Sequence, residues 1–369
     1  MNHRRAWPVL LTALALTLLS GLLLPGPASA EGTSSESTVY TNIVTGGDGP
    51  RTPDIISTSA NNAVVAWREG LRPGNRDMGY IRYSYTTDGG AHWSRPATLA
   101  QETSEYAWHY VILYQAGSDL FAFLGRTPIA DPTESDGINH NGVPINGTFV
   151  KRSTDEGHTW QDHPATFPSI GNLVFAGRPV KLESGLHAIP YWATQRENGV
   201  LVSSDLKSWT KRGTVDGGPQ FTAGEPQLTF AQSDSAGEDE LFMVARAENA
   251  QAVTSTSPDG GRTWSDFALD ANVPSHNSKV YFTKDSNGRY LAIYNTATDR
   301  KVLNYKVRSP GAAWGAGRFF ADGPAVTSGD GAGWDVYAMA DEYAPGKFFV
   351  VWEHDTSAIK VNKLDISSG

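Results

Sequence analysis

Three arginines in this 369-residue chain stand at the ends of apolar, strand-like runs. Arg51 lies in Pro50-Arg-Thr-Pro53-Asp-Ile, Arg246 follows Leu241-Phe-Met-Val-Ala245, and Arg300 lies in Tyr294-Asn-Thr-Ala-Thr-Asp-Arg300, just past a further run. A cation at the end of a buried strand is costly to place without a partner. A guanidinium group binds a carboxylate through two parallel N–H donors, so three converging on one point make a site for an acidic sugar. Taken singly, each is an ordinary surface or ion-pair residue; convergence is what would carry the chemistry. The cluster Tyr106-Ala-Trp108-His109-Tyr110 offers Trp108 and His109 for a pocket wall, although alternating aromatics equally suit a core strand. No Cys/His zinc spacing, EF-hand loop or phosphate-binding glycine loop is present, so neither metal nor cofactor is expected.

The elements that must position these arginines are announced by a repeat. Ser153-Thr-Asp155-Glu-Gly157-His-Thr159-Trp160 recurs as Thr86-Thr-Asp88-Gly-Gly90-Ala-His-Trp93 and as Ser257-Pro-Asp259-Gly-Gly261-Arg-Thr263-Trp264. Ser203-Ser-Asp205-Leu-Lys-Ser-Trp209 is a shortened copy. The aspartates are separated by 67, 50 and 54 residues, the period of a repeated supersecondary unit. Asp accepts backbone N–H groups a few residues on, Gly supplies positive φ, and Trp packs its apolar area beneath the turn. Such a network spends its polar groups on itself, so the repeats specify architecture and the chemistry lies elsewhere.

Length and composition narrow the options. Arg4-Arg5, the apolar run Pro8 to Leu24 and Ala28-Ser29-Ala30 form a signal-peptide pattern, so residues 1–30 are expected to be removed after Ala30 and the protein secreted. Residues 31–40 are expected to be a flexible lead-in and 41–369 a single catalytic domain. There is no cysteine, hence no disulfide or thiol chemistry. A formal charge of −9 with no basic run argues against nucleic acid or an anionic membrane as partner. The 38 glycines and the lack of sustained 3.6-residue periodicity after residue 30 fit an all-β fold. Segment 127–146, rich in Pro, Asp and Asn, interrupts the strand rhythm and is either a lid or disordered.

The S-x-D-x-G-x-T-W phrase resembles the Asp-box of the sialidase superfamily. That resemblance implies a six-bladed β-propeller of four-stranded antiparallel blades, for which residues 31–369 allow about 56 residues per blade. It extends over the whole chain after residue 30. Arg51-x-Pro53 is similar to the family's R-I-P, and Asp77, 26 residues on, falls where the family has its general acid. Gly224-Glu225-Pro-Gln227 followed by Val244-Ala245-Arg246 looks like E-x-Q and N-A-R, implying Glu225 as catalytic carboxylate and Arg246 as second triad arginine. Arg300 with Leu303 resembles R-x-x-L. Tyr337, then Val351-Trp352-Glu353, resembles the nucleophile strand and the glutamate that braces the first arginine. Departures are Pro50, Thr52, Val244 and Ala338-Met339, and a shift of two residues would put Asp335, beside Trp334, in the nucleophile's place.

The implied activity is retaining hydrolysis of terminal α-linked sialic acid, or a close nonulosonic acid such as its deaminated analogue KDN, by a monomer acting on glycans. Rival expectations are a glycosidase for a related ulosonic acid, a non-catalytic carbohydrate-binding propeller, or a propeller glycosidase or lyase using His109 or Asp335.

Overall fold

The computed structural model describes residues 36–41, 49–70, 78–129, 147–193, 197–216, 221–232, 239–248, 250–329 and 331–367. All regular structure among them is β, arranged as six four-stranded antiparallel sheets. Strand β1 (Ser37–Thr41) belongs to the last of these. The first blade holds β2 (Gly49–Ser57), β3 (Ala63–Gly70), β4 (Tyr80–Thr86) and β5 (Ala97–Ala100). The second holds β6 (Tyr106–Ala116), β7 (Asp119–Pro128), β8 (Gly147–Ser153) and β9 (Gln161–Asp162). The third holds β10 (Val180–Lys181), β11 (His187–Trp192), β12 (Asn198–Ser203) and β13 (Thr210–Val215). The fourth holds β14 (Gly224–Phe230), β15 (Leu241–Arg246), β16 (Gln251–Ser257) and β17 (Ala268–Pro274). The fifth holds β18 (Tyr281–Lys284), β19 (Tyr290–Asn295), β20 (Leu303–Arg308) and β21 (Arg318–Ala321). In the sixth, β22 (Asp335–Ala344), β23 (Lys347–His354) and β24 (Ala358–Asp365) are completed by β1. The fold is a six-bladed β-propeller, as the Asp-box resemblance implied.

Strand β1 corrects one boundary. The lead-in expected over residues 31–40 is, from Ser37 on, a strand whose register runs from Ser37 opposite Val361 to Thr41 opposite Ala358. Its one buried side chain, Val39, joins the core that Trp67, Phe349 and Trp352 build between the first and last blades, and Tyr40 stacks on Trp67. A Ser/Thr-rich strand reads as linker because a single buried residue leaves little pattern to detect. Pairing the two ends of the chain in one sheet closes the ring and covers the β24 edge.

Packing of each blade on both faces by its neighbours buries whole strands. All eight residues of β3, Ala63-Val-Val-Ala-Trp-Arg-Glu-Gly70, are buried, the charged Arg68 and Glu69 included. The four Asp turns all join third to fourth strands. In the second blade, Ser153 Oγ donates to Asp155 Oδ1 (2.7 Å) and accepts from Gly157 N (2.9 Å), while Asp155 Oδ1 accepts from Thr159 N (2.9 Å). Gly157 has φ of 86°, and a Cβ there would stand 2.2 Å from Val64 of the preceding blade, so the turn also fixes blade spacing. A fifth, unforeseen turn, Ser309 to Trp314, occupies the same place in the fifth blade. It keeps the Trp, stacked on Tyr290, but has no carboxylate, which hid it in the sequence.

Candidate active site

In every blade the first strand starts, and the second ends, at the same end of the propeller, so residues at those positions converge on the axis. Arg51, Glu225 and Tyr337 open β2, β14 and β22; Arg246 and Glu353 close β15 and β23; Arg300 lies between β19 and β20. The Asp turns, between third and fourth strands, lie at the opposite end. The two sets of sequence signals therefore occupy opposite ends of the ring.

Four of the inner strands are bulged where they enter the site. The register shifts between Arg51 and Asp54, between Gly224 and Gln227, and between Val336 and Met339. Within these bulges Thr52, Glu225 and Tyr337 have φ of 44°, 52° and 54°. A side chain bearing Cβ costs about 1–2 kcal/mol there, and bulges beside functional sites re-aim side chains in this way. His109 occupies the matching bulge of β6, between Trp108 and Tyr110, and is half-buried. Trp108 differs from its expected role: it is 7% exposed, donates from its indole N–H to Gln101 O (2.9 Å) and packs edge-on against Tyr106 and Phe149. It is a core residue between the first two blades rather than a pocket wall.

The arginines are held in distinct ways. Glu353, fully buried, accepts Arg51 Nη1 on Oε1 and the strained backbone N–H of Thr52 (3.2 Å) on Oε2. Arg246 Nη1 donates to Glu225 Oε2 (3.0 Å) and lies 3.5 Å from the Tyr337 phenolic oxygen. Burial opposes the Arg246 charge, yet Glu225 and Tyr337 hold its pKa well above the ordinary arginine range. Arg300 Nη2 donates to the backbone carbonyl of Asn277 (2.6 Å). Asp335 is buried and already occupied, accepting from Trp352 Nε1 (2.9 Å), Gly323 N (2.6 Å) and the His354 ring (2.8 Å), which leaves it poorly placed as a nucleophile. Asp77 and the 130–146 part of the irregular segment lie outside the described residues.

Sequence reasoning missed two residues that complete this ring. Asn277, with φ of 55°, accepts Arg246 Nε (3.2 Å) and Nη2 (3.0 Å) on its side chain and Arg300 on its backbone. Trp334 lies under both Arg51 and Arg300. Deeper along the axis, Arg178 bridges Asp54 and Asp341 and donates to the Ile55 carbonyl, bordering a cavity of about 370 Å³ at the end away from Tyr337. Among the described residues, no cluster of His, Asp or Glu has the arrangement of a metal site.

A family model for the BNR repeat-like domain matches residues 61–349. The chain belongs to the BNR repeat-like domain family. This BNR repeat-like chain is 23% identical over 326 residues to an exo-alpha-sialidase of Arthroderma benhamiae, covering 80% of this chain and 76% of that one. It is 26% identical over 277 residues to a xyloglucanase of a Paenibacillus species, covering 69% of this chain but spanning only about a quarter (24%) of that relative. The NanB sialidase of Streptococcus pneumoniae superposes with a TM-score of 0.67 at 13% identity, covering 89% of this chain and 70% of that one, and so shares its fold. The BNR repeat-like propeller is thus sialidase-like in architecture.

Proposed function

We propose that this chain is a retaining exo-glycosidase that hydrolyses terminal α-ketosidic sialic acid or a close nonulosonic acid. The observation that carries the reading is Arg246, one guanidinium contacting both the Glu225 carboxylate and the Tyr337 phenol within a ring of three arginines. The ring supports recognition of a substrate carboxylate, and the phenol supports a nucleophile that a substrate bearing negative charge at the reacting carbon does not repel.

In this mechanism Glu225 accepts the phenol proton as Tyr337 oxygen bonds to the anomeric carbon. Asp77 gives its proton to the departing aglycone oxygen. Arg51, Arg246 and Arg300 hold the carboxylate and offset charge in the oxocarbenium-like transition state. Water, deprotonated by Asp77, then displaces the tyrosyl oxygen, which regains its proton from Glu225, and the sugar leaves with retained configuration. The role of Asp77 rests on the family resemblance alone. The N-terminal basic, apolar and Ala-x-Ala pattern supports export, so the substrate would be an extracellular glycan met by a monomer.

The test is release of 4-methylumbelliferone from the α-ketosides of N-acetylneuraminic acid and KDN, with xyloglucan as control. Hydrolysis of either ketoside, lost by about 10²-fold or more in Tyr337→Phe, is expected. Full activity in Tyr337→Phe removes the nucleophile assignment. Binding of both sugars without turnover favours the carbohydrate-binding propeller, and activity on xyloglucan alone overturns the acidic-sugar reading.

A further inference from the structure

Arg300 is held unlike the other two arginines. Arg51 pairs with Glu353 and Arg246 with Glu225, whereas no carboxylate among the described residues pairs with Arg300. Its guanidinium carbon instead lies 5.2 Å from the centroid of the Trp334 ring, and that of Arg51 lies 5.8 Å from the same ring. We propose that Trp334 is a positioning residue: its indole stands in for a counter-ion to Arg300 and, shared with Arg51, sets the spacing at which the two guanidinium groups receive one carboxylate. The proposal deepens the acidic-sugar reading and rests on it for the identity of the ligand.

The chemistry favours an aromatic ring over an acid at this place. Guanidinium groups gathered without their ligand repel one another, and a protein carboxylate would relieve this only by taking the N–H donors the ligand needs. An indole attracts a cation through the negative face of its π-system while accepting none of the in-plane donors. Among the described residues only the Asn277 carbonyl takes an Arg300 side-chain donor, and the other donors stay available for a ligand. Tryptophan is the strongest of the aromatic partners for a cation.

The backbone that carries the ring is also fixed in place: the Trp334 carbonyl accepts Asp355 N (2.6 Å), and its N–H donates to Gly331 O (3.1 Å). The next residue, Asp335, donates its N–H to Arg300 O (3.0 Å), so the arginine and the indole beneath it are tied through the backbone as well. The Asp355 carboxylate gathers Val326 N, Thr327 N and Gly333 N, clipping the connection between β21 and β22 against the loop after β23. Gly331, with φ of 89°, passes so close to Thr356 that a Cβ would stand 2.3 Å from its methyl group. A segment constrained at this many points holds the backbone of Trp334 in place, as positioning requires.

Two readouts on the full chain test this, one of which needs no ligand. Phenylglyoxal labelling of Arg300, followed by peptide mass spectrometry with exposed Arg95 as internal standard, is expected to be several-fold faster in Trp334→Leu and near wild type in Trp334→Phe. KM for the fluorogenic ketoside is expected to rise about tenfold in Trp334→Leu with kcat within about threefold, and to recover largely in Trp334→Phe. Unchanged labelling and KM in the Leu variant overturn the proposal, as does a Phe variant as impaired as Leu. If the Leu variant does not fold, the Phe variant decides alone, since a KM shift beyond about threefold there denies the role of the π-face. Labelling that behaves as expected while no variant, wild type included, binds or cleaves the ketoside leaves the clamp standing and overturns the acidic-sugar reading instead.

Discussion

Arg246 and Glu225 face each other across 3.0 Å, one closing β15 and the other in the bulge that opens β14, where Gly224 is the rung partner of Arg246. The same guanidinium nitrogen lies 3.5 Å from Tyr337, so one cation spans the proposed base and nucleophile from a neighbouring strand. Its Nε–H and one Nη2–H are held by Asn277, which fixes the plane of the fork.

Arg246→Lys therefore keeps the charge and loses the geometry. A lysine ammonium is a point charge on a flexible stem and cannot contact Glu225, Tyr337 and Asn277 together. The expected outcome is a fall in kcat/KM of about 10²-fold with the thermal midpoint within a few degrees of wild type. Steady-state kinetics on the fluorogenic ketoside and a melting curve check it; retention of more than half the wild-type kcat/KM would show that charge alone suffices.

The Arg51–Glu353 pair lies almost wholly out of solvent, at 7% and 1% side-chain exposure. Removing one charge from such a pair strands the other, at a cost of about 3–5 kcal/mol, whereas replacing both with apolar residues costs much less. Glu353→Met is expected to lose stability on that scale in urea denaturation, and the double variant Arg51→Met/Glu353→Met to recover most of it while remaining inactive. A double variant no more stable than the single one would mean that Glu353 acts mainly on the strained Thr52 N–H.

Much of this was legible beforehand because the informative residues carry their chemistry locally. The Asp turns announce themselves since each hydrogen-bond network closes within seven or eight residues, and their spacing counts blades. Arg51, Glu225, Arg246, Arg300, Tyr337 and Glu353 were legible as an ordered set, and the fold brings all of them to one end of the axis. Asn277, Trp334 and Arg178 were not, because their roles exist only across blades: Asn277 joins Arg246 of the fourth blade to Arg300 of the fifth, and Arg178 of the third joins Asp54 of the first to Asp341 of the sixth. Trp108 misled for a related reason, as an aromatic run has the same appearance whether it lines a pocket or fills a core.

Lys279, buried just before β18, gives the fold a signature at high pH. Burial pulls its ammonium down to about 8 from the ordinary 10.5, with Arg178 acting in the same direction and Asp54 and Glu225 opposing. Between about 8 and 10.5 the unfolded chain then holds more of this proton than the folded one, so this group makes stability rise with pH across that window. Lys279→Met is expected to raise the urea midpoint at pH 7 and to flatten the pH 8–10 dependence relative to wild type. A variant with the wild-type slope would place the titrating group elsewhere.

The Asp turns set the acid limit by a shift in the same direction. His92 and Thr86 hold Asp88 at about 2; against the cost of burial, Thr159 and Ser153 hold Asp155 at about 2; Ser208, Lys207 and Ser203 do so for Asp205. Each lies below the ordinary 3.8, so the folded state gives up these protons more readily than the unfolded chain. Their contribution is fully present above pH 4 and is lost as pH falls from there through about 2. Because the turns are largely exposed, solvent screens each one, and the effect is read from several acting together. Urea midpoints are expected to hold between pH 7 and 5 and to drop below pH 4. Asp155→Asn, which cannot accept Thr159 N and Thr159 Oγ1 on two carboxylate oxygens, is expected to start lower at pH 7 and to fall less steeply below pH 4. A variant whose midpoint tracks wild type at every pH would mean that the Asp155 turn contributes to blade geometry without contributing to stability.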